Sequence, residues 1–238
     1  MRKSIFVMIA MGMLATSLTS AQNLNKILDN HFKAIGQKKL LDVNTLTITA
    51  NATMMGSDSP FNMVSKRPGK VLITIEFQGA EIKQGYDGET VWMINPMMGG
   101  STAVEVTGAE AVDIMEAADI DRQLWNYKKK GHQLEFVGTE AVNGAETYDL
   151  KLTKKNGIVD HYYLDKNSFL ILRATTSTLM NGAEVDVESN FSNYKEFDGY
   201  RMALTMEQKL GGQTYMLLEM DEVKLNAKVD DSIFSKPD

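Results

Sequence analysis

The hydrophobic positions of the chain follow a helical period near its start and a period of two afterwards. The first stripe recurs at helical spacing and is followed by Gly36, so it predicts an amphipathic helix that ends there; its members are Leu24, Ile27, Leu28, Phe32 and Ile35. From residue 45 apolar and polar residues alternate, as in TLTITANATM (45–54) and KVLITIEF (70–77). Such alternation is typical of strands with one buried face.

Further alternating segments predict a long antiparallel meander of about eleven strands. These segments cover residues 60–68, 131–142, 146–154, 158–165, 168–178, 183–196, 200–210 and 213–225. The connections carry residue pairs that adopt the positive φ angles of tight hairpin turns: Asp87-Gly88, Asn143-Gly144, Asn156-Gly157, Asn181-Gly182, Asp198-Gly199 and Gly211-Gly212.

Residues 107–131 interrupt the strand pattern and predict one or two helices. Thr107 and Glu110 have the spacing of a capping box, and three lysines before Gly131 suit a helix C-terminus. The resulting fold class is α+β, a curved, partly open antiparallel half-barrel with helices covering its mouth. Four prolines and no long polar linker favour a single domain over residues 22–238.

The first 21 residues have the layout of a secretory signal peptide, with a basic start, a short apolar run and cleavage after Ala21. The chain has no cysteine, so the exported protein has neither disulfides nor a lipobox, and a bacterial periplasm suits it best. Its net charge of −6 becomes −8 once Arg2 and Lys3 are removed. This acidity argues against nucleic-acid binding.

The motifs of common catalytic and metal sites are missing from the sequence. Neither His-Glu-x-x-His nor Gly-x-Ser-x-Gly occurs. The pair Asp119 and Asp121 is typical of a solvated helix end, and the pair Asp230 and Asp231 is typical of a solvated tail. We therefore expect no enzyme activity, no metal and no cofactor, although carboxylates distant in sequence can meet in a fold.

Methionine and aromatic residues offer two interpretations. They are ordinary core residues, or they form a deformable apolar wall that accepts partners of different shapes. Acyl chains bind such a wall by burial alone and need no catalytic group. The candidate wall residues are Phe61, Met63, Trp92, Met97, Met98, Trp125, Met202, Met206, Met216 and Met220.

Arg67 stands before Pro68 at the end of a predicted strand and also has two interpretations. It is a solvated edge charge, or it is a rim residue whose guanidinium donates hydrogen bonds to backbone carbonyls of a helix or lid. In the second case, cargo that enters beneath the lid breaks those bonds.

Residues 66–96 resemble the outer-membrane lipoprotein-sorting family, the LolA-like periplasmic carriers, in the variant common in Bacteroidetes-type bacteria. The resemblance rests on KRPGKVLITI followed by YDGETVWMINP, with Lys66, Arg67, Pro68, Asp87, Gly88, Trp92, Asn95 and Pro96 at the motif positions. The segment MINPMMGG departs from the more aromatic run usual after that tryptophan.

This resemblance implies a periplasmic carrier that binds acyl chains of lipoproteins or lipids in an apolar cavity and moves them toward the outer membrane. An acidic soluble carrier would work as a monomer. It gives Arg67 the role of holding the lid closed. The implied partners are an inner-membrane release complex and an outer-membrane acceptor. The alternative on the same fold is a sensory or regulatory lipoprotein-binding module, and an enzyme acting on lipid head groups is the third hypothesis.

Overall fold

The computed structural model describes residues 23–54, 56–180 and 183–237. The predicted signal peptide and the Asn181-Gly182 turn lie outside the described residues. The chain separates into two compact units, one with residues up to Ile35 and Tyr127–Asp186, the other with Gly36–Asn126 and Val187–Asp238. That both units form a single folding domain stays a prediction.

The described residues contain three α-helices, thirteen strands and two short 3-10 helices. The helices are α1 (residues 23–35), α2 (Gln37–Leu41) and α3 (Ala109–Ala117). The strands are β1 (Thr45–Met54), β2 (Ser57–Lys66), β3 (Lys70–Phe77), β4 (Ala80–Tyr86), β5 (Val91–Ile94), β6 (Val104–Glu105), β7 (Gln133–Val142), β8 (Ala145–Thr153), β9 (Val159–Asp165), β10 (Ile171–Met180), β11 (Ala183–Phe197), β12 (Tyr200–Leu210) and β13 (Gln213–Leu225). The 3-10 helices are Pro96–Met98 and Asp231–Phe234.

The α+β class is confirmed, but the strand number is thirteen rather than about eleven. In β4, Gln84 stands where the alternation calls for an apolar residue, and charged residues occupy the positions between the apolar ones. Strand β6 is only two residues long. A pattern of alternating hydrophobicity needs several apolar positions to be recognised, so both strands escape it.

The first unit has the strand order β10-β9-β8-β7 together with helix α1. The helix buries the predicted stripe residues Leu24, Ile27 and Leu28, and Gly36 follows it with φ of 72°. His31 is also buried, and its Nδ1 donates to the carbonyl oxygen of Phe169 at 2.8 Å. Burial lowers the pKa of His31, because the charged imidazolium loses its hydration there.

The second unit has the strand order β6-β5-β4-β3-β2-β1-β13-β12-β11, with every described pairing antiparallel. Its strands have two different faces. Leu46, Ile48, Ala50 and Ala52 of β1 are buried on one face, and the threonines and Asn51 between them point to the other. We call the face that carries Leu46 the apolar face.

Three of the five predicted hairpin pairs in the described residues form two-residue turns; in Asp87-Gly88 and Asn156-Gly157 only the glycine has positive φ, and the loops are longer. Asn143-Gly144 and Asp198-Gly199 both have positive φ at each residue, as a two-residue primed turn requires. The Asp198-Gly199 turn also explains Gly36, since a Cβ there would lie 1.9 Å from the Gly199 carbonyl oxygen. The residue that ends α1 is therefore fixed by a contact as well as by its φ angle.

The prediction for residues 107–131 is only half right. Helix α3 has Gly108 as its N-cap, so Thr107 stands one position too early, and no side chain caps this terminus. The capping box is wrong for that reason. Residues 118–131 form turns, and the three lysines before Gly131 are not at a helix end.

The face opposite the apolar face carries the C-terminal clasp, which we define as Trp92 with Phe234 and Asp231. Trp92 and Phe234 are almost completely buried, and the indole Nε1 donates to the Phe234 carbonyl oxygen at 2.8 Å. Asp231 accepts from Lys66 at 2.5 Å and Lys70 at 2.9 Å. The chain terminus is thus attached to β2, β3 and β5.

Gly85 faces Trp92 directly across the β4–β5 pair, so we expect the Gly85→Ala variant to be destabilised. A Cβ at this position would lie 2.2 Å from the indole ring. Displacing a buried indole in a packed site costs roughly 1–3 kcal/mol. Chemical denaturation checks this, with Gly138→Ala as the control because a Cβ meets nothing within 4 Å there. Equal stability of the two variants would contradict it.

Candidate functional site

The strand register of the second unit places a continuous set of apolar side chains on the apolar face. Starting from Ile48, the cross-strand partners are Met63 on β2, Ile73 on β3 and Val223 on β13. Directly opposite residues on neighbouring strands share a face. By this rule the apolar face includes Phe61, Met63, Val71, Ile73, Ile75, Val91, Met93, Met202, Leu204, Met206, Met216, Leu218, Met220 and Val223.

One end of the apolar face is covered and the other is partly exposed. We call the end of the face near Leu46, Val71 and Val91 the clamp end. We call the opposite end, where Met54 ends β1 and Phe77 ends β3, the open end. Helices α2 and α3 and the turn after α3 cover the clamp end, where they bury Leu40, Val43, Ala111, Ile114 and Ile120. The buried Ser65 hydroxyl attaches this cover by donating to the Ala117 carbonyl oxygen at 3.1 Å.

Arg67 joins the end of β2 to both parts of the cover. Its Nε donates to the Val43 carbonyl oxygen at 2.7 Å, and its Nη2 donates to the Leu40 carbonyl oxygen at 3.1 Å. Nη1 and Nη2 donate to the two carboxylate oxygens of Asp121 at 3.0 and 2.5 Å. We call these four residues the Arg67 clamp.

The clamp is an electrostatic as well as a geometric feature. The Asp121 carboxylate beside the guanidinium raises the pKa of Arg67 above its ordinary value, so the arginine stays charged. Both side chains are partly exposed, at 28% for Arg67 and 20% for Asp121. Water therefore reaches the pair, and its bonds can open without a fully buried charge being left behind.

The sequence suggested backbone carbonyls as partners for Arg67, but it missed Asp121. This aspartate looked like a solvated helix end, yet it lies in the turn after α3 and faces Arg67 across 54 positions of sequence. An acidic residue in a helical insert gives no sign of its partner. The Lys-Arg-Pro segment was the available signal that a carboxylate was needed nearby.

A cleft of about 340 Å³ adjoins the clamp. It is bounded by residues 67–69, Tyr86, Met115 and residues 118–121. The cleft is therefore lined both by the strand end that carries Arg67 and by the turn after α3 that carries Asp121.

The open half of the apolar face carries half-buried side chains beside fully buried ones such as Ala52 and Leu218. Each half-buried side chain packs against the buried cluster and is also partly accessible to solvent. Six of the apolar candidates from the sequence lie on this face: Met63 and Met202 are buried, whereas Phe61, Met206, Met216 and Met220 are half-buried.

The other four apolar candidates lie elsewhere. Trp92 lies on the opposite face, in the C-terminal clasp. Side chains alternate along β5, so its neighbours Val91 and Met93 lie on the apolar face. Met97 and Met98 are in the 3-10 helix after β5 and are 51% and 78% exposed. Trp125 is half-buried in the turns after α3. None of these four contributes to the apolar face.

Residues 23–54, 56–180 and 183–237 contain no group of three acidic or histidine side chains that could hold a metal ion. Within the same ranges, no helix combines the length and apolar character needed to cross a bilayer.

Comparison with solved structures identifies the fold. A LolA superfamily protein from Nitrosomonas europaea matches with a TM-score of 0.60 at 15% identity, over 91% of this chain and 98% of that chain. A DUF1329 family protein from Desulfovibrio piger gives 0.60 at 17% identity, over 87% and 96%. An outer membrane lipoprotein-sorting protein domain from Vibrio parahaemolyticus gives 0.57 at 14% identity, over 87% and 97%.

The likeness is one of structure. No family model matches the sequence, and no curated protein matches it. At such low identity the solved structures establish the fold, and they confirm at that level the resemblance that the Lys-Arg-Pro segment indicates. The chain therefore has a LolA-like fold.

Proposed function

We propose that this protein is a periplasmic carrier that binds the acyl chains of lipoproteins or lipids on the apolar face and moves them toward the outer membrane without catalysis. One observation carries the proposal: a row of half-buried apolar side chains continues the core of the second unit out to solvent. Phe61, Met206, Met216 and Met220 all belong to it. A soluble domain normally covers such a row, and an exposed apolar patch marks a binding surface.

The energy available on this surface suits an acyl chain. Burying a methylene group is worth about 0.8 kcal/mol, so a chain that buried about ten of them would gain roughly 8 kcal/mol. Three of the four half-buried side chains are methionines, whose unbranched thioethers adapt to chains of different shape. The face needs no polar group for this purpose.

The Arg67 clamp supplies the reversible element of the proposal. Cargo that extends from the open end to the clamp end would displace the cover, and the hydrogen bonds from Arg67 to Leu40, Val43 and Asp121 would break. Water can replace those bonds because the pair is partly exposed. The implied partners are an inner-membrane complex that releases cargo and an outer-membrane acceptor.

Native mass spectrometry tests the proposal directly. The exported chain from Gln22 onward is purified without detergent from the periplasm of the producing organism, and bound species are fragmented. A bound lipid or acylated peptide is the expected result. A clean unliganded mass that does not change on addition of lipid or lipopeptide would reject the carrier, and a stable complex with a membrane protein would favour the regulatory module.

Met206→Lys is expected to weaken acyl-chain binding at least about tenfold, since a charged ammonium would have to be desolvated beside the bound chain. Met206 stands between Phe191 and Leu218 on the apolar face. Displacement of a fluorescent fatty acid measures the change.

The matched control is Thr205→Lys, which places the same charge on the opposite face one residue earlier. Thr205 faces Glu219, so a lysine is tolerated there. Circular dichroism verifies that both variants fold. Equal affinity of the two variants would remove the apolar face from the proposal.

A further inference from the structure

Ser59 places a polar atom within the apolar face. It lies directly opposite Ala52 in the β1–β2 pair, and both residues are completely buried, whereas its chain neighbours Asp58 and Pro60 are exposed. Directly opposite residues share a face, so the Ser59 side chain belongs to the apolar face. Among the residues that the structure describes, no donor or acceptor lies within hydrogen-bonding distance of the Ser59 Oγ.

Other buried hydroxyls of this unit have a carbonyl oxygen as their acceptor. Ser65 lies on the same strand and the same face as Ser59, and its hydroxyl donates to the Ala117 carbonyl oxygen of the cover at 3.1 Å. Thr45 donates to the Ala227 carbonyl oxygen at 2.8 Å. An unpaired buried hydroxyl costs free energy, because it loses its hydrogen bonds to water. The cover supplies the missing acceptor at the clamp end, and no described segment supplies one at Ser59.

Ser59 lies where the apolar face gives way to polar side chains at the open end. The row of directly opposite residues that contains Ser59 reaches Met206 on β12. One row nearer the open end, the same face carries Gln208 and Ser189. Gln208 donates to the Ser189 Oγ at 3.3 Å and accepts from the Tyr215 hydroxyl at 2.6 Å. An amphiphile whose acyl chain lies on the apolar face would therefore have its polar group at this end.

An ester-linked acyl chain presents the acceptor that Ser59 lacks. Its methylene groups form no hydrogen bond, and its ester carbonyl oxygen accepts one without bringing a donor that needs a partner of its own. A free carboxylate is a poorer match, because a buried charge needs more than one neutral hydroxyl. The same-face neighbours of Ser59 on β1 and β2 carry no cation; they are Ala50, Ala52, Met54, Ser57 and Phe61.

We propose that the Ser59 hydroxyl donates to the carbonyl oxygen of an ester-linked acyl chain and so fixes where the ester linkage lies on the apolar face. The inference rests on the proposed function and deepens it, since it separates esterified chains from chains without a carbonyl. The acyl chain runs from Ser59 toward the clamp end, and its polar group lies toward the open end. Met54 and Phe61 are half-buried, so a bound chain that moves them aside reaches Ser59.

Two ligands that differ in one carbonyl group test the assignment. Monopalmitoylglycerol has an ester carbonyl, and hexadecyl glyceryl ether has a chain of the same length without it. Displacement of a fluorescent fatty acid, below the micelle concentration of either ligand, gives both affinities. We expect the wild type to prefer the ester by about threefold to tenfold, and Ser59→Ala to bind both ligands with the wild-type affinity for the ether. Equal affinities in the wild type, or an ester preference that persists in Ser59→Ala, would overturn the proposal.

Ser57→Ala is the matched control for this experiment. It removes a hydroxyl from the same strand and the same face, one row nearer the open end, where the side chain is exposed. The ester preference should persist in this variant, and its loss would overturn the assignment to Ser59. If the wild type bound neither ligand, the proposed function would be rejected, and this inference would fall with it.

The stability of the unliganded variants gives a second readout. Ser59→Ala should be at least as stable as the wild type, because the change removes a buried hydroxyl that has no partner among the described residues. Ser65→Ala should be less stable, because the Ala117 carbonyl oxygen loses its donor. Urea denaturation measures both. Destabilisation of Ser59→Ala to the extent of Ser65→Ala would show that the Ser59 hydroxyl is already paired, and would overturn the proposal.

Discussion

Arg67→Ala is expected to lower the free energy of unfolding by about 3 kcal/mol. The change removes charge-assisted bonds to Asp121 and leaves the carbonyl oxygens of Leu40 and Val43 to find water. Because both charged side chains are partly exposed, the loss should fall at the lower end of the range for broken buried ion pairs. Urea denaturation followed by circular dichroism measures it.

The clamp has a functional readout as well. If displacement of the cover limits cargo entry, Arg67→Ala should bind fluorescent fatty acid faster. Arg67→Lys should give an intermediate rate, since lysine keeps the positive charge but loses the bidentate guanidinium. Lys39→Ala is the control, because the Lys39–Asp198 pair is an exposed surface ion pair that contributes little to stability. An Arg67→Ala variant as stable as Lys39→Ala would contradict the clamp.

Phe234→Ala is expected to cost about 4 kcal/mol of stability. Phe234 is completely buried, and its carbonyl oxygen accepts from the Trp92 indole. Truncation leaves a cavity beneath the C-terminal segment and frees the terminus that Asp231 attaches to Lys66 and Lys70. Denaturation of the variant in a Trp125→Phe background reports on Trp92 alone, whose emission should shift to the red.

The neighbouring residue provides the control for this experiment. Ile233 belongs to the same 3-10 helix and is 36% exposed, so Ile233→Ala should cost less than about 1 kcal/mol. If Phe234→Ala and Ile233→Ala were equally stable, burial of the Phe234 side chain in the C-terminal clasp would contribute nothing to stability.

The strands and hairpins were predictable because their causes are local. Alternation in β1 and β3 reflects which side chains meet the core, and paired residues such as Asn143-Gly144 set positive φ angles within the turn itself. The apolar stripe of α1 and its end at Gly36 follow from spacing in the same way. The alternation did not predict β4 and β6, because these two strands form by pairing with their neighbours and have little alternating pattern of their own.

The candidate site was predictable in part. Arg67 as a donor to backbone carbonyls was one of two interpretations, and six of the ten apolar candidates lie on the apolar face. Trp92 looks like a binding residue in sequence because aromatic residues suit both cores and ligands. Its face depends on the register with Gly85, and its partner Phe234 is 142 positions away.

The sequence by itself determined the α+β class, most strands, three of the two-residue turns and the separation of the strands of the second unit into an apolar face and an opposite face, because each of these follows from side chains within a few positions. Tertiary structure decided which carboxylate meets Arg67, which residues cover the clamp end, and that Met97 and Met98 stay exposed. Those outcomes depend on contacts between segments far apart in the chain, where small differences in register and turn geometry select the partner.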